Sequence, residues 1–316
     1  MIEVDGSFGE GGGQVLRTSL ALSLITRQPF RITRIRAGRP KPGLLRQHLT
    51  SVLAAAAVGD AIVDGAVRGS QEVSFAPRTL RGGSFAFDIG SAGSTMLVLQ
   101  TILVPLLVAA EPSDVVLEGG THNPSAPTFD FLQASFLPLL RKMGAHVSIA
   151  LERPGFYPEG GGRVRVRIEP ATLRPIEILE RGAFIARRET SRRNVFAIEA
   201  EHEHVTEVAT GFGDKARAQD EMSRYLASSA AVGEHLADQL LLPMAVAGGG
   251  AFTTVAPTLH TTTNAGVIRM FTDVDVQLTP DGDRYQCAIT SGASSPTPRN
   301  TSSIVSPPSS SANDER

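Results

Sequence analysis

Cysteine is almost missing from this chain. Cys287 stands alone, which excludes an internal disulfide framework and a Cys-rich zinc or iron–sulfur site. A reducing, cytoplasmic setting is the simplest expectation. Long apolar runs are missing too. The longest, from Met96 to Ala110, is broken by Gln100 and Pro105 and is too short to span a bilayer, so no membrane role is expected. Residues Met1 to Gly6 show neither the basic nor the apolar region of a secretory leader. Acidic residues disappear between Glu10 and Asp60, where Arg17, Arg27, Arg31, Arg34, Arg36, Arg39, Lys41 and Arg46 stand. In a chain of net charge −2, that imbalance gives a local basic surface on a slightly acidic protein. Such a surface suits gripping a few phosphates better than coating a long duplex. A solvated basic face would have the same composition.

With 316 residues, 41% of them hydrophobic, the chain can bury two cores or one large repeated one. Leu16, Leu20 and Leu24 recur at helical spacing, predicting a helix from Gln14 to Thr26 that starts directly after a glycine loop. A strand over Phe30 to Arg36, a helix over Leu44 to Val58, and short strands over Ala61 to Val67 and Val73 to Ala76 follow. The same parts recur: a strand at Val115 to Glu118, a helix over Phe129 to Met143, and strands at Ala145 to Leu151 and Val164 to Ile168. A weaker third copy comprises a helix over Glu221 to Ala247, a strand at Ala251 to Val255, a helix from Thr262 to Phe271 and a strand at Val274 to Leu278. The expected division is a repeated body over 1–175 and 220–289, an insert over 176–219 with strands at Val195 to Ala200 and Val205 to Thr210, and a disordered tail over 290–316. That tail is almost without apolar residues.

Several segments could carry chemistry. Gly9-Glu-Gly-Gly-Gly-Gln14 lets backbone N–H groups approach phosphate, and Glu10 could hold a hard cation; a plain turn would also need those glycines. Arg36, Arg39, Lys41 and Arg46 sit on a loop stiffened by two prolines and two glycines, and arginine forks match phosphate oxygens. Gln100 is a strongly polar side chain in an apolar helix and must find partners in the core or on a ligand. His235, Asp238 and Gln239 share one helix face, as solvated residues or as a base-binding surface. His260 stands where a short apolar strand yields to a polar helix start, a place that favours neutral imidazole and welcomes anions. Neutral imidazole is a competent nucleophile toward phosphorus.

Taken together, the chain resembles RNA 3'-terminal phosphate cyclases from Met1 to about Leu278. The likeness is carried by Asp5 to Arg17, Arg36 to His48, Ile89 to Ser94, Gly119 to Pro127, Gly155 to Gly162, Tyr225 to Gly233 and Ala237 to Gln239. The resemblance implies an α+β fold of three repeated units, each two helices on a four-stranded sheet, with a shortened insert domain. It implies that ATP adenylylates a histidine, that AMP passes to an RNA 3'-phosphate, and that the neighbouring 2'-hydroxyl closes a 2',3'-cyclic phosphate. By motif position His260 is the nucleophile, and Glu10 and Asp238 serve Mg²⁺ or Mn²⁺. Gln100, Pro127, His235, Leu236, Ala237, Asp238 and Gln239 form the adenine pocket, and Arg17, Arg36, Arg39, Gln47 and His48 hold phosphates. Two departures stand out. Position 235 is usually tyrosine in the family, and the insert is short. A catalytically weakened RNA-binding relative in RNA processing or ribosome biogenesis, and an enolpyruvyl transferase on the same type of fold, are the alternatives.

Overall fold

The structure, a computed structural model, describes residues 1–292. The first unit runs β1 (Ile2–Asp5), α1 (Gly13–Thr26), β2 (Phe30–Thr33), α2 (Arg46–Gly59), β3 (Ile62–Asp64) and β4 (Val73–Ala76). Its sheet has the order β1-β2-β4-β3, the first pair parallel and the others antiparallel. The second unit runs β5 (Gly83–Asp88), α3 (Thr95–Leu107), β6 (Ser113–Gly119), a continuous helical stretch, β7 (His146–Arg153) and β8 (Gly162–Glu169). That stretch comprises α4 (Phe129–Phe131), a π turn (Leu132–Phe136) and α5 (Leu137–Lys142). The ladder widens just before Pro138, which has no N–H to give. Sheet order is β5-β6-β8-β7, with the same senses of pairing.

The third unit opens with β9 (Glu177–Ile178) and is interrupted at once by β10 (Phe184–Arg192), β11 (Val195–His202), β12 (Thr206–Phe212) and α6 (Lys215–Ala227). It resumes with α7 (Glu234–Val246), β13 (Gly249–Thr254), α8 (Leu259–Phe271), β14 (Val274–Asp281) and β15 (Arg284–Ser291). Its sheet reads β9-β13-β15-β14, so all three units share one topology and the insert lies within the first crossover of the third. The mixed helix and sheet content is the α+β class expected.

The helices of the three units meet. α1 packs on α2, α3 and α8, and α7 packs on α8. Every residue of α1 from Gln14 to Leu24 is buried, and fully burying a leucine such as Leu16 or Leu20 contributes about 1.5–3 kcal/mol. A helix enclosed on all sides has no solvent face for polar residues. Gln14, Arg17 and Thr18 must therefore be paired from neighbouring helices, and that need determines where the site forms.

The insert has its own small core. Ile198 and Ala200 of β11, Ala209 of β12, and Ala218, Met222 and Tyr225 of α6 form an apolar cluster separate from the main one. α6 runs across the boundary expected at residue 219 and packs on β11 and β12. The single helix expected over Glu221 to Ala247 is two. The chain leaves helix at Ser228, Ser229 bonds the Asp283 carboxylate through N (2.8 Å) and Oγ (2.5 Å), and Gly233 caps α7 in extended conformation. β1, β5, β9, β10 and β15 are not legible in the sequence. β9 has only two residues, and β10 is charged on both faces and held by its pairing with β11. Thr290 and Ser291 complete β15, and the rest of the expected tail beyond Gly292 lies outside the described residues. Among the described residues, no helix is long and apolar enough to cross a membrane.

Candidate active site

α8 begins at Leu259, three residues earlier than its apolar pattern suggests, because Thr258 caps it: Thr258 Oγ1 accepts from Thr261 N at 3.3 Å. His260 is thereby in the first turn. Its side chain is 53% exposed, and its Nε2 lies 4.0 Å from Glu10 Oε1 in the glycine loop. Burial holds the imidazole below its ordinary pKa; Asp238 opposes this, while Arg17, His235 and Arg39 reinforce it. A neutral ring at neutral pH results. Its Nδ1 lies 3.0 Å from Gln14 Oε1, and Gln14 Nε2 donates to Asp238 Oδ1 at 2.5 Å. Asn264 Nδ2 donates to the backbone oxygen and to Oδ1 of Asp238, both at 3.0 Å. Burial raises the Asp238 pKa, and the charge of His260 and bonds from Gln14 and Asn264 work against that.

A second polar relay joins the three units. Arg17 Nε on α1 donates to Gln100 Oε1 on α3 at 3.1 Å, and Gln100 Nε2 donates to Gln239 Oε1 on α7 at 3.0 Å. Arg17 is buried, and desolvation brings its guanidinium down to about 10, still cationic at neutral pH. Gln100 thus finds protein partners, and its remaining polar capacity faces a cleft of about 240 Å³.

That cleft is lined by His260, Gln14, Arg17, Gln100, Pro127, His235, Asp238 and Gln239, with Ser125 to Thr128 and Phe131 of the second unit on one wall. The insert supplies Val208, Thr210 and Phe212 of β12 and Arg217 and Glu221 of α6. Polar and charged side chains predominate in this lining, with Leu97, Pro127, Phe131, Val208 and Phe212 as its apolar part, a composition that suits a polar small molecule with a flat apolar face. Leu236 and Ala237, expected in the adenine pocket, are buried on the core side of α7 and give the cleft no side chain. Helical spacing puts 235, 238 and 239 on one face and 236 and 237 on another.

Of the residues expected to hold phosphates, Arg17, Arg39 and His48 lie around the glycine loop and the start of α1, and all five are tied into the protein. His48 packs against Gly13, and burial, with Arg17 and Arg36 nearby, drops its pKa to about 3, leaving the ring uncharged. Arg39 is ion-paired with the Glu10 carboxylate and donates to the Glu10 backbone oxygen at 3.3 Å. Arg36, at φ 54°, donates to Lys41 O (2.5 Å) and Gly43 O (3.1 Å) and so braces its own loop. Gln47 Oε1 accepts from Ser94 N at 2.6 Å, joining the first unit to the start of α3. Glu10 keeps one buried carboxylate oxygen, Oε2, without a hydrogen-bond partner. Asp238 has its Oδ1 occupied by two amides.

Gln14, Asn264 and Phe131 were not singled out from the sequence. A polar residue inside an apolar helix was the available signal for Gln14, of the same kind that marked Gln100. Among the described residues, Glu221, Glu234 and His235 are close enough to share one ion, a grouping that only the docking of α6 beside α7 creates.

The family described as RNA 3'-terminal phosphate cyclase matches residues 8–278. The "RNA 3'-terminal phosphate cyclase" of Ralstonia nicotianae is 46% identical over 328 residues, covering 89% of this chain and 94% of that one. Its namesake from Koribacter versatilis is 43% identical over 92% of this chain and 95% of the relative, and that of Pseudomonas fluorescens 46% over 89% and 95%. An enolpyruvyl transferase structure, NikO from Streptomyces tendae, aligns with 91% of this chain and 48% of that chain at 12% identity and a TM-score of 0.39, too slight a likeness to decide the fold. By the span of the family match and the identity to three full-length relatives, the chain belongs to the RNA 3'-terminal phosphate cyclase family and is an enzyme of that class.

Proposed function

We propose that this cyclase works through a covalent His260–AMP intermediate with ATP as the nucleotide. The supporting observation is that one cleft is lined both by His260, neutral and half exposed, and by Pro127, His235, Gln100 and Gln239, which suit a purine. In the first step the His260 Nε2 lone pair forms a bond to the α-phosphorus, and the bond from that phosphorus to the bridging oxygen breaks, releasing diphosphate. An oxygen of the RNA 3'-phosphate then attacks the same phosphorus and displaces the imidazole. The RNA end now carries AMP as a leaving group. Finally the 2'-hydroxyl, held beside the activated phosphate, attacks it, loses its proton and expels AMP, giving the 2',3'-cyclic phosphate.

Arg17 at the start of α1, with Gly11 to Gly13 amides and Arg39, would bind nucleotide and RNA phosphates. Such binding requires Arg39 to exchange its bond to Glu10 for phosphate oxygens. A divalent cation, Mg²⁺ or Mn²⁺, fits Glu10, whose orphaned Oε2 is a hard oxygen donor beside the glycine loop. Bound there, such an ion would neutralise charge on the nucleotide phosphates. Asp238 would have only Oδ2 to offer the same ion, because its Oδ1 accepts from Gln14 and Asn264 and its Oδ2 has the Gln239 amide at 3.4 Å.

Incubation with α-labelled ATP and Mg²⁺ tests the reading. AMP should remain on the protein in an acid-labile, alkali-stable bond, and His260→Ala should retain none. A relative that only binds RNA would acquire no label, and an unlabelled wild-type protein that still cyclises RNA would refute the intermediate.

A further inference from the structure

His260 can attack through Nε2 only if that nitrogen carries the lone pair, yet a free neutral imidazole more commonly carries its proton on Nε2. A neighbour that holds the less common form raises the fraction of rings ready to attack. We infer that Gln14 is the positioning residue that does so, as the last link of a chain of hydrogen bonds whose direction is fixed by a backbone carbonyl. The inference rests on the histidine–AMP reading for its purpose and on geometry for its content.

The direction can be followed link by link. The backbone oxygen of Asp238 can only accept, so the Asn264 group 3.0 Å from it must be the NH₂ end of the amide. The carbonyl end of Asn264 then accepts from Thr18 Oγ1 at 2.9 Å, which agrees. The same Asn264 NH₂ donates to Asp238 Oδ1 at 3.0 Å, and in the ionised carboxylate that oxygen has only lone pairs to offer Gln14. Gln14 meets this acceptor at 2.5 Å and must present its own NH₂. Its carbonyl oxygen is therefore turned the other way, to His260 Nδ1 at 3.0 Å, and an acceptor there demands that Nδ1 carry the hydrogen. Nε2 is left unprotonated on the side of Glu10 and the glycine loop.

Chemistry gains twice from this arrangement. No proton has to leave or rotate before Nε2 forms its bond to phosphorus. As the ring becomes cationic in the adduct, the Nδ1–H bond to Gln14 strengthens, and Asp238 lies one amide further on. Gln14 touches none of the reacting atoms. It is itself held rigid, since it is buried in the first turn of α1.

The test reads the tautomer directly. Protein labelled with ¹⁵N in histidine is observed without nucleotide at pH 8, and the His260 signals are assigned by their loss in His260→Ala. The expected result is a protonated Nδ1 and an unprotonated Nε2 in wild type. In Gln14→Met, which keeps length and removes both polar ends, the ring should move toward protonated Nε2. Single-turnover adenylylation should then fall on the order of 100-fold, with ATP affinity changed less than about 3-fold. An unprotonated Nδ1 in wild type would overturn the inference, and so would a Gln14→Met protein with unchanged tautomer and rate. If Gln14→Met does not fold, the wild-type spectrum alone decides. Wild-type protein that never acquires label from ATP would instead sink the histidine–AMP reading, and the tautomer measurement distinguishes that failure from this one.

Discussion

Replacing Glu207 by glutamine should make the protein more stable at high pH and leave it unchanged at low pH. Glu207 lies on β12, is 3% exposed, and accepts the N–H of Gly233, the cap of α7, at 2.7 Å. Burial pushes its pKa from 4.5 up to about 8, the bond from Gly233 works the other way, and Glu221 adds to the rise. The sign follows from proton counting. Below pH 4.5 folded and unfolded chains both hold the proton; between 4.5 and 8 only the folded chain does, so stability falls as pH rises; above 8 neither does and the loss levels off. The slope is about 1.4 kcal/mol per pH unit, on the order of 4 to 5 kcal/mol over the whole window. The amide introduced by Glu207→Gln would keep an acceptor for Gly233 and never ionise. Urea unfolding of both proteins from pH 4 to 9 should show a stability difference that grows with pH and then flattens. A difference constant across that range would refute a protonated Glu207. The consequence reaches the site, because Gly233 starts the helix that carries His235, Asp238 and Gln239.

Gly13→Ala should slow adenylylation at least 10-fold and destabilise the fold by about 1–3 kcal/mol, since a Cβ there would run into the buried His48 ring and meet Arg17 Nη1 at 2.8 Å; a wild-type rate measured by single-turnover labelling would contradict the packing argument. His235→Tyr should lower the KM for ATP by about 2- to 10-fold, the larger ring contributing about 0.5–1.5 kcal/mol of stacking. An unchanged or raised KM would mean that residue 235 does not stack the base.

Much of the fold was readable because the three units repeat a strong local pattern. Leu16, Leu20 and Leu24 mark α1 through spacing alone, and Phe129 to Met143 marked the second unit's helical stretch to within a residue. Weak elements were hidden for identifiable reasons. β9 is too short to show a period, β10 depends on its partner strand, and the break at Ser228 depends on Asp283, which is distant in sequence. At the site, the glycine loop, His260 and the polar face of α7 were legible as residue types suited to phosphate and purine. Arg36 and Gln47 read as ligand-binding groups from residue type, and only the structure adds that the first braces its loop and the second joins two units.

Sequence by itself determined the class of chemistry, because residue types and their order along the chain carry it: a lone histidine at a helix start, glycines before α1, arginines free of nearby acids. Tertiary structure alone decided which of those residues share a cleft and which way their protons point. Gln14, Asp238 and His260 belong to three different helices, and hydrogen-bond direction exists only once Asn264 and the Asp238 carbonyl are brought together in space.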